Sequence, residues 1–174
     1  MLKHALLGAM LAGIYGALND EITYSISHEY FTCLKFPQFH YIDLGFPPRV
    51  YVAEIGFVAA ACAGFFAGWF LARVTVPGSL PGAALRRTLT GLLLVWASAF
   101  AAATVAFLVG VSRGPDPDYS GWREIEARAG ILDLPGFVRV AYIHNASYAG
   151  AAIGLVAAIL RLRRFKATNR QLGG

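Results

Sequence analysis

Apolar residues gather into four stretches of this chain, and the polar ones collect at their ends. Residues 50–72, 88–111 and 138–160 are each long enough to cross a hydrocarbon core, which takes about 20 apolar residues as helix. Residues 2–18 sit at the short end of that range. Lys3 and His4 before a compact apolar run also suit a cleaved signal peptide. Cutting after Ala17 would put Tyr15 where a small residue is wanted, so the uncleaved span is the better reading. The pattern predicts an all-α fold. It is a four-transmembrane-helix bundle in one domain covering residues 1–174, with a long aromatic interfacial loop between helices 1 and 2.

Composition agrees with the pattern. The chain is 57% hydrophobic and 14% charged, where soluble domains carry about 25% charged residues. Cys33 and Cys62 form no CxxC motif, and only Cys62 lies in an apolar stretch, so no disulfide is expected.

Charge then orients the spans. Lys3, Arg73, Arg86, Arg87, Arg161, Arg163, Arg164, Lys166 and Arg170 fall in three segments without a single acid: the N-terminus, the loop after the second span, and the tail. All ten acidic residues lie in the other two segments or near the span ends that adjoin them. Lys and Arg beside spans stay on the cytoplasmic side, so both termini are expected there, in a bacterial inner membrane. The net charge of +5 is thereby explained by membrane lipids as partners. No phosphate loop, zinc-finger spacing or basic face interleaved with aromatics points to nucleic acid.

Small residues recur at helical spacing. The second span carries Gly56, Ala60, Gly64 and Gly68; the fourth carries Ala146, Gly150, Gly154 and Ala158. Gly8, Ala12 and Gly16 repeat the pattern in the first span, Ala99 and Ala103 in the third. Such stripes let helix backbones approach in lipid, where hydrophobicity gives no driving force between helices. They suit a tight monomer, a homodimer or docking into a larger membrane complex.

Residues 19–49 are crowded with aromatics: Tyr24, Tyr30, Phe31, Phe36, Phe39, Tyr41 and Phe46. Aromatic side chains favour the membrane interface, which predicts a re-entrant or interfacial cap. Ser27 can cap a short helix reaching about Leu34, with Pro37 ending it. In the second polar segment a short helix is expected over residues 121–129, and Asp133 as N-cap of the last span with Pro135 in its first turn.

Candidate chemistry follows from depth. Glu54 lies five residues beyond Arg49, and His144 five beyond Arg139, so both sit about 8 Å below the boundary. Asp20 and Glu21 close the first span at the same level, with Asn145 beside His144. His28 and Glu29 join them from the cap. Ionisable residues inside a membrane are costly and mark function by default. Asp20, Glu21, His28, Glu29, Glu54, Arg139, His144 and Asn145 are therefore the candidate ligand-binding set, with Glu54 and His144 exchanging protons and Arg139 balancing charge. Glu54 stands about 200° around its helix from Gly56, so the polar pair and the close contacts use different faces. There is no HExxH and no Glu-x-x-His pair, and no Ser or Cys nucleophile motif.

The run Asn19-Asp-Glu-Ile-Thr-Tyr-Ser-Ile-Ser-His-Glu-Tyr-Phe-Thr, continuing to Lys35-Phe-Pro-Gln-Phe39, together with Tyr142-Ile-His-Asn-Ala-Ser-Tyr148, resembles a family of small bacterial multi-pass membrane proteins without an assigned activity. The family pattern has a histidine before Asp20, a glutamine after it and a proline before Glu29. Here those places hold Asn19, Glu21 and His28, which removes a metal ligand the pattern would supply. The resemblance covers about a quarter of the chain and implies membrane placement and a site at this end. Three functional readings follow: a pocket for a small ligand or ion, a metal-assisted enzyme acting on a lipid or quinone, and an accessory subunit. No cofactor is named by any motif.

Overall fold

The computed structural model describes residues 1–113 and 118–172, with side chains through Arg164. The fold is all-helical: α1 Leu2–Ile26, α2 Phe36–Phe39, α3 Pro48–Thr75, α4 Pro81–Ser112, α5 Arg123–Ala129 and α6 Leu134–Leu172. A π-helical turn, Tyr30–Lys35, and two 3-10 turns, His40–Ile42 and Ser120–Trp122, fill the connections. Among the described residues three helices are long and apolar enough to cross a membrane: Pro48–Thr75, Pro81–Ser112 and Leu134–Arg164.

Every long helix exceeds the span expected for it. At the candidate-site end, α1 continues past residue 18 to Ile26. It does so because Asp20 and Thr23 turn inward and are buried with the core instead of ending the apolar run in water. Its other face shows Leu6, Met10, Ile14, Leu18 and Ile22 at four-residue spacing, all about half exposed or more. Exposed apolar stripes of this kind mark a surface that lipid or a protein partner covers.

The helices associate as two antiparallel pairs through their glycines. In α1 and α3, a Cβ at Gly8 would collide with the Gly64 carbonyl oxygen, and one at Gly16 with the Gly56 carbonyl. In α4 and α6, a Cβ at Gly150 would stand 2.5 Å from the Ser98 carbonyl oxygen and 2.7 Å from Ala102 Cβ. The glycine stripes of α1, α3 and α6 are thus spent within the chain, holding α1 against α3 and α4 against α6. Between the pairs the packing is looser. At one end Thr75 and Thr88 share a 2.8 Å hydrogen bond across α3 and α4.

The opposite end carries a cap, and here the expectation of a long loop is corrected. Residues 27–42 are largely helical. Ser27 Oγ accepts the Tyr30 N–H at 3.4 Å, the expected cap. Pro37, expected to stop the helix, instead sits in the first turn of α2, where its missing N–H costs nothing. Tyr30 and Phe31 are buried with Phe137, Val138 and Val140, so the cap shares a core with the start of α6. Asp133 Oδ1 accepts the Gly136 N–H at 3.0 Å as the N-cap of α6. The short helix expected from residue 121 forms as a 3-10 turn leading into α5, stopped by Gly130 at φ +65°.

Candidate functional site

Four inward-facing positions on α1 recur at helical spacing: Ala12, Gly16, Asp20 and Thr23. On α6 the matching face runs through His144, Ser147 and Ala151. These faces look into the gap between the two helix pairs, and their polar members meet directly beneath the cap.

His144 is the centre. Its ring is 2% exposed, although it lies in an otherwise apolar helix. Thr23 Oγ1 stands 3.1 Å from His144 Nε2, and also 2.9 Å from the Asn19 carbonyl oxygen. The hydroxyl has one proton to give. When the carbonyl takes it, Thr23 accepts from His144 Nε2–H, and Nδ1 is left to accept from Tyr148 O–H at 3.5 Å. Asp20 Oδ1 lies 3.8 Å from the same Nε2, with its side chain 7% exposed. Thr23 and Asp20, three residues apart, therefore address one imidazole nitrogen from one helix face.

The cap covers this arrangement. Tyr30 stacks on His144 at 5.0 Å between ring centroids and 24° between planes, and Phe31 meets it edge-on at 6.2 Å. Lys35, only 8% exposed, places its ammonium 5.8 Å from the Tyr30 centroid and 5.5 Å from that of Phe39. Burial pushes the Lys35 ammonium below its usual pKa, against the pull of the Asp20 carboxylate. Burial also raises the Tyr30 phenol well above its usual range, so it stays a neutral donor.

Below the polar cluster lies a cavity of about 370 Å³ bounded by α1, α3, α4 and α6. Tyr15, Asn19, Asp20, His144, Ser147 and Tyr148 supply its polar wall, and alanine, glycine, leucine, valine and Trp96 the rest. Tyr15 O–H and Ser147 Oγ are bonded at 3.3 Å. The volume falls in the range of about 300–1,000 Å³ and the mostly apolar lining that small-molecule sites show.

Of the residues expected at one level, only Asp20 and His144 come together in this cavity. Glu54 makes no hydrogen bond or ion pair with His144; its Oε2 is buried without a hydrogen-bond partner. Glu54 occupies another face of α3 from the one lining the cavity, which runs through Gly56, Ala60 and Gly64. Glu21 pairs with Arg49 at 2.9 Å on the surface. His28 is exposed against the Tyr24 ring. Glu29 binds backbone: its carboxylate accepts the Leu132 N–H at 3.0 Å and the Asp133 N–H at 2.6 Å, just before α6. Arg139 packs its stem on Gly110, with Nε unpartnered. Asn145 lies on the outer side of α6, in a groove against α4.

Thr23 and Lys35 complete what depth alone did not find, and Ser147 joins His144 from the same face of α6. Thr23 was legible as the residue one turn after Asp20, and Lys35 as a lysine set among aromatics. Among the described residues no three His, Cys, Asp or Glu side chains come together as metal ligands. No protein-family model, curated protein or solved structure matches the chain. Fold and site together define an all-helical protein with membrane-length apolar helices and a buried acid–imidazole pair over an apolar cavity.

Proposed function

We propose that this chain is a four-span protein of the bacterial inner membrane that binds a small molecule in the cavity between its two helix pairs. Asp20 and His144 supply the polar contacts and the helix walls the apolar ones. The fourth span is α1, supported by its lipid-compatible stripe from Leu6 to Ile22 and by its close packing against α3. The nine Lys and Arg residues in acid-free segments support cytoplasmic termini, with the cap facing outward. In a Cys33→Ser, Cys62→Ser background, a cysteine placed at Ser120 is then labelled by an impermeant maleimide in intact cells, and one at Gly82 only after permeabilisation.

The observation that carries the binding reading is the Asp20–His144–Thr23 cluster at the wall of the cavity. Burying an ionisable pair in a membrane costs free energy that helix packing alone does not require. The test uses thermal unfolding of purified protein with and without a total lipid extract of the host membrane. Wild type and Glu54→Gln gain stability from the extract, while Asp20→Asn and His144→Ala lose that gain. If all three variants respond as wild type does, the binding reading is wrong.

The groove holding Asn145 supports a second reading, an accessory subunit. Ala102, Ala106 and Gly110 line it at four-residue spacing, beside an amide with no hydrogen-bond partner among the described residues. Such surfaces receive transmembrane helices. A defined membrane partner that co-purifies until Asn145→Leu releases it favours this reading; a monodisperse monomer counts against it.

A further inference from the structure

The two ends and the flank of the cavity differ in access. Above it, Tyr30 lies flat on His144 and Phe31 closes the edge, so the way from the cap is blocked by aromatic rings. At its margins Ala63 on α3 and Tyr148 and Ala152 on α6 line the cavity and are exposed, so the cavity opens between the helix pairs there. In a bilayer these side chains adjoin lipid. A molecule entering past them comes from the membrane and must carry an apolar body, for which Ala59, Ala60, Gly64 and Ala151 leave room.

The polar wall selects the head. A carboxylate offers about four acceptor sites. Asp20 is met by the adjacent Asn19 amide and by His144 Nε2 at 3.8 Å, outside hydrogen-bond range. His144 has both nitrogens engaged, by Thr23 and Tyr148. Tyr15, Asn19, Ser147 and Tyr148 also carry acceptor lone pairs, but Asp20 is the one carboxylate among the residues lining the cavity. When Asp20 is ionised, a second negative charge placed beside it in an apolar enclosure is repelled, because low dielectric magnifies the interaction.

We infer that the cavity takes a bilayer-borne amphiphile whose head is non-anionic and donates a hydrogen bond to Asp20, as a hydroxyl or an ammonium does. This inference rests on the binding reading above and adds the chemistry of the head and the side of entry.

The test is equilibrium binding of radiolabelled decanol, decylamine and decanoate to the full chain in phosphatidylcholine nanodiscs. Binding to Ala151→Phe, which fills the cavity, is subtracted, and its melting curve shows that it stays folded. Decanol and decylamine bind about tenfold more tightly than decanoate, and in Asp20→Asn the difference shrinks to about twofold. Comparison of the first two separates a hydroxyl head from an ammonium head. Equal or tighter binding of decanoate, or an unchanged difference in Asp20→Asn, overturns the head chemistry. If the three probes bind alike and all are lost in Ala151→Phe, the cavity reading survives and only the head assignment fails. If none binds above the Ala151→Phe background, both fail together.

Discussion

Thr23 on α1 and His144 on α6 meet through a 3.1 Å hydrogen bond that joins residues 121 positions apart. It ties the first helix of one pair to the last helix of the other where packing between the pairs is otherwise sparse. Thr23→Val keeps the shape and leaves His144 Nε2 buried without its partner. The expected cost is about 1–3 kcal/mol of stability, read from unfolding in detergent, with Thr23→Ser restoring most of it. A neutral Thr23→Val would mean that the imidazole is held by its ring contacts alone.

The glycines of α1 and α3 are placed for contact rather than for backbone freedom. Gly64→Val drives a side chain into Ala12 and the Gly8 carbonyl, where neither can yield without parting the helices. Overpacking of this kind costs about 1–3 kcal/mol or more. Gly82, in the first turn of α4, has nothing within 4 Å of an added Cβ. Gly82→Ala is therefore expected to be neutral or to stabilise by up to about 1 kcal/mol. Melting temperatures of the two variants moving in the same direction would contradict this assignment.

Glu29 belongs to the architecture. Its carboxylate takes two backbone N–H groups ahead of α6 and so ties the cap to the helix that carries His144. Charge-assisted bonds of this type contribute about 1.5–3 kcal/mol. Glu29→Ala is expected to lose an amount of that order and to raise amide exchange at residues 132–133. Unchanged exchange there would show that the tie is dispensable.

Lys35 predicts a pH dependence. Burial lowers its pKa in the folded protein below that of the unfolded chain, so the unfolded chain binds the proton more tightly. Stability then rises with pH across the alkaline window between the two values, and the penalty is fully present below it. Lys35→Met removes the rise and adds stability at neutral pH. Unfolding curves of both proteins at a series of pH values check the sign; a wild-type stability that falls across this window would reverse it.

Much of this architecture was legible in residue order, because lipid imposes simple rules. Long apolar runs became α3, α4 and α6, the glycine stripes of α1, α3 and α6 became contact faces while Ala99 turned to the cavity, and Asp133 capped α6 as its position suggested. What was not legible depended on rotation and on tertiary partners. Glu54 and His144 each lie five residues beyond an arginine, Arg49 and Arg139, yet that spacing does not say which face of a helix a side chain takes. Asp20 and Thr23 extended α1 because burial opposite His144 made a continued helix better than a loop. Glu29 read as a pocket acid because nothing in sequence links it to two amides about a hundred residues away. The π-turn at Tyr30–Lys35 arose where Tyr30 and Phe31 had to reach a common core with Phe137.

The central claim is that the gap between the helix pairs holds a molecule. Native mass spectrometry of protein released from its own membranes into mild detergent tests it most directly. The account predicts one additional small-molecule mass on the wild type, retained by Glu54→Gln and absent from Asp20→Asn and Ala151→Phe. A wild type that carries no such mass, or a mass carried equally by the filled variant, would contradict it.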